Sequence, residues 1–337
     1  MLLGIVVCGI FAYTIYTSIF SENTAFENKE AYVFIPSQAT FEDVVLEMTP
    51  LLKDVDAFRE VAKRKGYIGN IKSGRYVITK GMNTNEIINT IRSKNTPIKI
   101  AFNNQERIQD LAGRIAVQIE ADSMSLLHAM TDEGFMKTNG FTEADILSMY
   151  IPNSYELFWN SSAEAFRDRM FKEYQRFWNA NRLQKAKALG YTPKEVYTLA
   201  AIVQKETAKV DERPRVAGVY INRLKKGIKL DADPTVIYAL KNKKNDWGMV
   251  IKRVLYKDLE TDSPYNTYRK AGLPPGPIFM PDISAIDAVL NYEKHGYYYF
   301  VADVKNFGYH KFAKTLTQHN ANSAAYKRWI NKQGINR

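Results

Sequence analysis

The chain has 337 residues, of which 45% are hydrophobic and 25% are charged, a globular composition that excludes a wholly disordered, collagen-like or coiled-coil protein. Its 47 basic and 36 acidic residues give a net charge of +11, which suits nucleic acid, an acidic membrane face or a carboxylate-rich polymer and does not choose among them. The single cysteine, Cys8, excludes a disulfide scaffold and a zinc finger.

Residues 1–20 contain no charged side chain, and the first one to appear is Glu22. About twenty helical residues span the roughly 30 Å core of a bilayer, so this segment predicts a single transmembrane anchor. Two alternatives remain open, a cleaved signal peptide and a long buried core helix. The segment lacks the basic start and the small-residue cleavage site of a signal peptide. Since the rest of the chain has no cysteine, we expect it to lie outside the cytoplasmic membrane.

Residues 21–30 are predicted to be a polar linker, and residues 31–98 hold an imperfect repeat. A β-rich segment at 32–35 recurs 44 residues later at 76–79, and each copy precedes a predicted helix capped by Thr40 or Asn83. A further amphipathic helix is predicted over 55–65. Chance similarity is the alternative, because strands that lead into helices resemble one another.

The segment 99–160 is predicted to connect the repeat to a large domain at 161–337. It begins with a strand ending at Phe102, followed by helices over about 106–120 and from Asp122, and it ends with a loop at 153–155. The large domain is expected to hold one long helix over 163–189, a second strongly capped helix, an irregular Gly/Pro-rich stretch, a hairpin around 306–308 and a final helix. Helices and strands mix without regular βαβ alternation, so the predicted fold class is α+β.

Several common catalytic motifs are absent from the sequence, namely the P-loop, the dinucleotide fingerprint, HExxH and GxSxG. His295, His310 and His319 do not have a metal-ligand spacing, and the basic residues accompany no nucleic-acid-binding motif. The usual phosphate-binding, zinc-protease and serine-hydrolase interpretations therefore lack support.

The best-defined helix starts at residues 192–195, where Thr192, Pro193 and Glu195 form a capping box with proline at the first helical position. An apolar stripe along this helix continues onto Glu206. A carboxylate on an apolar face is desolvated, which raises its pKa and suits it to donate a proton near neutral pH. The alternative is that Glu206 simply ends the stripe at a solvated helix terminus.

Two further segments could bind a ligand. Asp233 either caps the helix that Pro234 opens or contacts substrate. The stretch 263–278 combines aromatic, amide and rigid-turn residues, a mixture that suits sugar rings but also describes an ordinary surface loop. The tryptophans at 159, 178, 247 and 329 are expected in the core rather than on a sugar-binding platform.

Together these segments resemble the endolytic murein transglycosylase family, also called YceG-like. The resemblance is carried, in order, by IVQKETA (202–208), GVYINRL (218–224), DADPTVIYAL (231–240), SPYNTYRKAGLPPGPI (263–278), YYYFVAD (297–303), HKF (310–312) and HN (319–320). Many members carry a second glutamate where this chain has Gln204, which concentrates the acid–base role on Glu206.

The resemblance implies a membrane-anchored enzyme with a LysM-like module at 31–98 and a YceG-like catalytic domain at 161–337. The implied reaction cleaves the β-1,4 bond between N-acetylmuramic acid and N-acetylglucosamine in peptidoglycan and leaves a 1,6-anhydro end. Glu206 is the implied catalytic residue. The candidates for holding the glycan are Asp233, Tyr265, Asn266, Tyr268 and His310.

No metal or organic cofactor is implied by the resemblance, and nucleic acid is not an expected partner. The expected partners are peptidoglycan glycan strands, the synthases that make them, and the inner (cytoplasmic) membrane through residues 1–20, with the catalytic part on the outer, periplasmic side. A non-catalytic glycan-binding protein and a hydrolytic muramidase assisted by Asp233 remain as alternatives.

Overall fold

The computed structural model describes the backbone of residues 2–332, and the side chains of that range except residues 2–4, 8, 11, 15, 18 and 332. It forms two compact units. The first contains the chain up to residue 101 with 113–126 and 154–166, and the second contains 102–112, 127–153 and the chain from 167 onward. The domain boundaries predicted from the sequence remain predictions.

The described chain mixes helices and short strand pairs, which confirms the α+β class. The elements are α1 (Leu2–Phe20), β1 (Glu30–Ile35), α2 (Phe41–Met48), α3 (Val55–Arg64), β2 (Gly74–Thr79), α4 (Thr84–Ser93), β3 (Ile98–Phe102), α5 (Ile108–Ala116), α6 (Ser123–Met130), α7 (Glu133–Thr138), β4 (Asn153–Leu157), α8 (Ala163–Phe177), α9 (Ala180–Leu189), α10 (Pro193–Glu206), α11 (Arg213–Lys225), α12 (Asp233–Lys244), α13 (Tyr256–Leu259), α14 (Ile283–Leu290), β5 (Tyr299–Ala302), β6 (His310–Ala313) and α15 (Leu316–Lys332), with 3₁₀ turns at Thr49–Leu51 and Ile146–Met149.

The first unit confirms the two predicted strand-to-helix segments. Their strands, β1 and β2, pair antiparallel from Glu30 opposite Thr79 to Ile35 opposite Gly74. Thr40 and Asn83 each close the predicted capping box at the start of the following helix. The strands and α2, α3 and α4 bury one apolar core, whose burial is the main force that holds this unit together.

The predicted linker 21–30 is packed within the first unit instead of being a free spacer. Asn23 is buried, and its amide donates to the Asp54 carbonyl oxygen at 2.8 Å and to the Thr84 hydroxyl at 3.1 Å. A polar side chain is stable in such a buried place because its hydrogen bonds replace those lost to water.

The predicted membrane anchor coincides with α1, and its exposed side chains include Ile5, Val6, Val7 and Ile10. Among the residues described, however, no helix combines the length and the apolar character needed to cross a membrane. Several side chains of the predicted segment 1–20 lie outside the described residues.

Three sequence predictions of local structure were wrong. Residues 153–155 are not a loop but belong to β4, which pairs with β3. The predicted long helix over 163–189 is two helices, because Asn179 caps α9 by accepting from the backbone N–H of Arg182 at 3.1 Å. The helix predicted over 106–120 is limited to α5.

The second unit is built around α10, which packs against α11 and α14. All residues from Val196 to Val203 are buried, which is why this helix is held firmly over most of its length. The hairpin of β5 and β6 packs with α15. The predicted hairpin and final helix are thereby confirmed, and the irregular stretch between α13 and α14 is also as predicted.

Candidate active site

Glu206 is the last residue of α10, and its carboxyl group opens into a cavity of about 420 Å³. The buried body of the helix fixes its position, while the helix end leaves the side chain partly exposed. The remaining lining consists of Tyr220, Arg223, Leu230, Asp231, Asp233, Tyr268, Tyr298, Tyr299, Phe300, Leu316 and His319. The cavity therefore combines one central acid with further carboxylates, one guanidinium and several aromatic rings.

The carboxyl group of Glu206 has a strongly perturbed protonation equilibrium. Burial raises its pKa from 4.5 to about 7, although the hydroxyl of Tyr220, which donates to Oε1 at 2.8 Å, acts in the opposite direction. The negative charge of Asp233 also raises this pKa, while the charges of His310 and Arg223 lower it. The upward shift of this pKa confirms the prediction that Glu206 is a desolvated acid. A carboxyl group with a pKa near 7 can both donate and accept a proton near neutral pH.

Helix α11 supplies two residues of the cavity that sequence reasoning did not assign, Tyr220 and Arg223. They are one turn apart and so share one face of the helix. Gly218 on the same helix lets the chain at Glu293 approach closely, since a β-carbon there would lie 2.4 Å from the Glu293 carbonyl oxygen.

Arg223 is almost fully buried and holds the wall of the cavity together. Its guanidinium donates to the carbonyl oxygens of Tyr298 at 2.7 Å and Leu230 at 2.8 Å, and it forms an ion pair with Asp231 at 3.0 Å. Asp231 has a φ of 49°, in the left-handed region that is costly for a residue other than glycine. The ion pair thus stabilises an unusual backbone conformation just before α12.

Asp233 and Tyr268, both predicted to contact the glycan, lie together in the cavity. The hydroxyl of Tyr268 donates to Asp233 Oδ1 at 2.7 Å. Asp233 is the first residue of α12 and makes no side-chain cap, so the capping alternative for it is wrong. The pair presents an exposed carboxylate and a phenol beside Glu206.

Tyr265 and Asn266 do not line the cavity of Glu206. Asn266 is fully buried, and its amide donates to the carbonyl oxygens of Leu259 at 2.9 Å and Thr261 at 2.8 Å. This residue therefore fixes the loop that carries Tyr268. Tyr265 lines a different cavity of the same unit.

His310 lies behind the cavity, where it is bound to Glu212. Its Nδ1 is 2.8 Å from Glu212 Oε2, and its backbone N–H donates to Oε1 at 2.7 Å. Glu212 also accepts from the hydroxyl of Thr207, the residue after Glu206, at 2.9 Å. Burial alone would raise the pKa of Glu212, but the hydrogen bonds from His310 and Thr207 outweigh it and lower the pKa.

The side chain of Gln204 does not line the cavity of Glu206 but forms hydrogen bonds with Asp282. Its amide nitrogen donates to Asp282 Oδ2 at 2.7 Å, and its oxygen accepts from the Asp282 backbone N–H at 2.7 Å. A neutral amide suits this position because it satisfies both a carboxylate and a backbone donor.

The lining residues that the sequence did not reveal include Tyr220, Arg223, Asp231, Tyr299 and His319. Most of them fall inside the segments GVYINRL, DADPTVIYAL and YYYFVAD, which were noted without separate roles. The signal that could have found Tyr220 and Arg223 is their spacing of one helical turn, with a phenol and a guanidinium on the same face.

Replacing Tyr220 by phenylalanine is expected to move the pH dependence of activity. The Tyr220 hydroxyl stabilises the carboxylate of Glu206, so its loss raises the pKa of Glu206 above the value of about 7. The protonated acid then persists to higher pH, and the alkaline limb of a kcat/KM profile shifts upward. The control is Tyr197→Phe, which removes a buried hydroxyl that donates to the Tyr150 carbonyl oxygen. An unshifted limb in Tyr220→Phe would contradict this role.

Comparisons with known proteins give concordant findings. A sequence model of the YceG-like family matches residues 33–325. An endolytic murein transglycosylase of Bacillus subtilis (strain 168) is 30% identical over 311 residues, covering 87% of this chain and 83% of that protein. One of the same name from Streptococcus pneumoniae (serotype 2, strain D39) is 26% identical over 351 residues, covering 94% of this chain and 62% of that protein. A 2.6 Å crystal structure of a YceG-like protein from Listeria monocytogenes has a TM-score of 0.57 at 28% identity, covering 88% of this chain and 99% of that one.

Proposed function

The chain belongs to the YceG-like family, and on that premise we propose that it is an endolytic murein transglycosylase, a lyase that cleaves peptidoglycan glycan strands. The cleaved bond is the β-1,4 linkage from N-acetylmuramic acid to N-acetylglucosamine, and the product carries a 1,6-anhydro end. The observation that carries this proposal is a single carboxyl group, Glu206, with a pKa near 7 inside a polar and aromatic cavity.

In the first half of the reaction Glu206 acts as a general acid. It gives its proton to the glycosidic oxygen, and the bond between that oxygen and C1 of the muramoyl sugar breaks. Positive charge develops at C1 and is stabilised by the carboxylates around it, which include the exposed Asp233. The leaving sugar departs with a free hydroxyl.

In the second half the carboxylate of Glu206 acts as a general base. It removes the proton from the 6-hydroxyl of the same muramoyl sugar, and that oxygen forms a bond to C1. The acid is thereby regenerated, and water is not consumed. Because the nucleophile belongs to the substrate, a second carboxylate that activates water is unnecessary.

The product mass tests this reaction directly. Purified peptidoglycan treated with the chain is expected to yield new chain ends that are one water lighter than hydrolytic ends. Ends that contain the added water would indicate a muramidase in which Asp233 assists, and glycan binding without new ends would indicate a non-catalytic wall-binding protein. Either outcome would refute the proposed reaction.

We also propose that residues 1–20 anchor the enzyme in the cytoplasmic membrane next to the synthases that make its substrate. The second compact unit, which carries Glu206 and is here named the catalytic unit, would lie outside. The support is the uncharged α1 with its exposed apolar side chains. Full-length chain is expected in the membrane fraction and a chain starting at residue 21 in the soluble fraction. Equal distribution of the two would refute the anchor.

Residues 31–98 are proposed to be a LysM-like module that binds glycan independently of cleavage. The support is the pair of capped strand-to-helix segments whose strands lie side by side. Such a module would keep the enzyme on its insoluble substrate between cleavage events.

A further inference from the structure

A second cavity of the catalytic unit is larger than that of Glu206, with a volume of about 640 Å³. It lies along α12 and the loop that follows α13, and its wall contains Tyr238, Trp247 and Tyr265. The proposed reaction makes no use of these residues. Trp247 is only partly buried, contrary to the expectation that the tryptophans belong to the core.

The three aromatic rings contact one another. The ring centroid of Tyr238 lies 4.6 Å from that of Tyr265 and 5.3 Å from that of Trp247. The guanidinium carbon of Arg107 lies 4.9 Å from the Trp247 ring centroid, so one face of the indole is supported by a cation. Rings fixed in this way offer an apolar surface at little cost in conformational entropy.

The charged groups of the cavity disfavour an acidic ligand. Glu106 is compensated by Lys241 at 2.7 Å, and Arg107 is compensated by Asp110. Among the described residues, the side-chain amides of Asn242 and Asn245 have no hydrogen-bond partner, so both can donate to and accept from a ligand. The carboxylate of Glu143 has no cation beside it in that part of the chain, and it would repel an acidic stem peptide.

The cavity is connected to Glu206 through shared elements. Helix α12 carries Asp233 at its first residue and Tyr238 and Asn242 further along. By helix geometry these two lie about 8 and 14 Å from Asp233 along the axis and about 140° and 180° around it. The same loop places Tyr268 on Asp233 and Tyr265 in the second cavity. A glycan strand that contacts both cavities therefore has to pass around the start of α12, which requires a long oligosaccharide.

We propose that this aromatic cavity binds an N-acetylhexosamine of the glycan strand beyond the sugars held at Glu206. The pyranose ring packs its C–H face on Trp247, and its acetamide group pairs with the amides of Asn242 and Asn245. The identity of the ligand rests on the proposed function. The cavity explains how an endolytic enzyme prefers the interior of a long strand over a short end.

The test measures binding of peptide-free glycan strands to the full chain carrying Glu206→Gln, which does not cut them. Adding Trp247→Ala is expected to weaken binding of an octasaccharide about tenfold, the loss of one aromatic contact, and to leave a tetrasaccharide within about twofold. Trp247→Phe is expected to restore most of the affinity. Trp329→Ala, outside both cavities, is the matched control.

Unchanged octasaccharide binding in Trp247→Ala, or an equal loss for the two oligosaccharides, would overturn the proposal. If Trp247→Ala lowers the thermal unfolding temperature, Asn242→Ala, compared with Trp329→Ala, tests the same loss of octasaccharide binding. The proposed function is tested by a separate measurement, because the formation of anhydro ends is followed with the native chain and binding is followed with the Glu206→Gln chain. Trp247-dependent binding without such ends would retain this site and refute the reaction.

Discussion

Glu206→Gln is expected to abolish formation of 1,6-anhydro ends, with a loss of at least about 10³-fold in rate, within the range attributed to general acid–base catalysis. Glutamine has nearly the same shape, and its oxygen can still accept the hydrogen bond that Tyr220 donates at 2.8 Å. It cannot give a proton to the glycosidic oxygen or take one from the 6-hydroxyl. Both halves of the reaction are therefore lost while the fold is retained. Mass spectrometry of digested peptidoglycan measures the effect.

The control for this substitution is Glu293→Gln, which removes an exposed carboxylate paired with Arg215 at 2.9 Å and should cut at the normal rate.

A second readout is the pH dependence of the free energy of unfolding. The pKa of Glu206 is higher in the folded than in the unfolded chain, so the native protein loses stability relative to Glu206→Gln as pH rises from about 4.5 to about 7. Undiminished cleavage by Glu206→Gln would remove the basis of the mechanism.

The sequence was most informative where local chemistry decides the structure. The capping box at Thr192 located the start of α10, and the apolar stripe identified Glu206 as a desolvated acid. The capping boxes at Thr40 and Asn83 likewise located two helices. In each case the hydrogen-bond partners lie within four residues along the chain, so the pattern can be recognised without knowing the tertiary fold.

The sequence was least informative where distant segments meet. Asn266 looked like a sugar ligand, but its amide is used by backbone carbonyl groups of its own loop. Arg223 gave no sign that it would hold Tyr298 and Asp231 in place. Strand β4 was missed because its pairing with β3 joins segments about fifty residues apart in the sequence. Such contacts depend on the packing of the whole unit and leave no local signature.

Glu212→Ala is expected to destabilise the catalytic unit by about 3 kcal/mol and to lower its unfolding temperature by about 10 °C. Glu212 is buried and accepts hydrogen bonds from the hydroxyl of Thr207 and from the backbone N–H and the ring Nδ1 of His310. Alanine leaves these donors buried without a partner. It also removes the hydrogen bond that holds Thr207, the residue after Glu206. Activity should therefore fall as well. Chemical denaturation followed by circular dichroism measures the free energy of unfolding.

The matched control is Glu293→Ala, whose exposed ion pair should be worth less than about 1 kcal/mol. Because the pKa of Glu212 is lowered by folding, its contribution is fully present above the ordinary value of 4.5 and is lost as pH falls through the folded value. The difference in unfolding free energy between native and Glu212→Ala protein should thus shrink in acid.

If Glu212 and His310 act as a pair, the double variant Glu212→Ala/His310→Ala loses less unfolding free energy than the two single variants together. A cost below about 1 kcal/mol for Glu212→Ala, or additive losses, would show that Glu206 is positioned by other contacts.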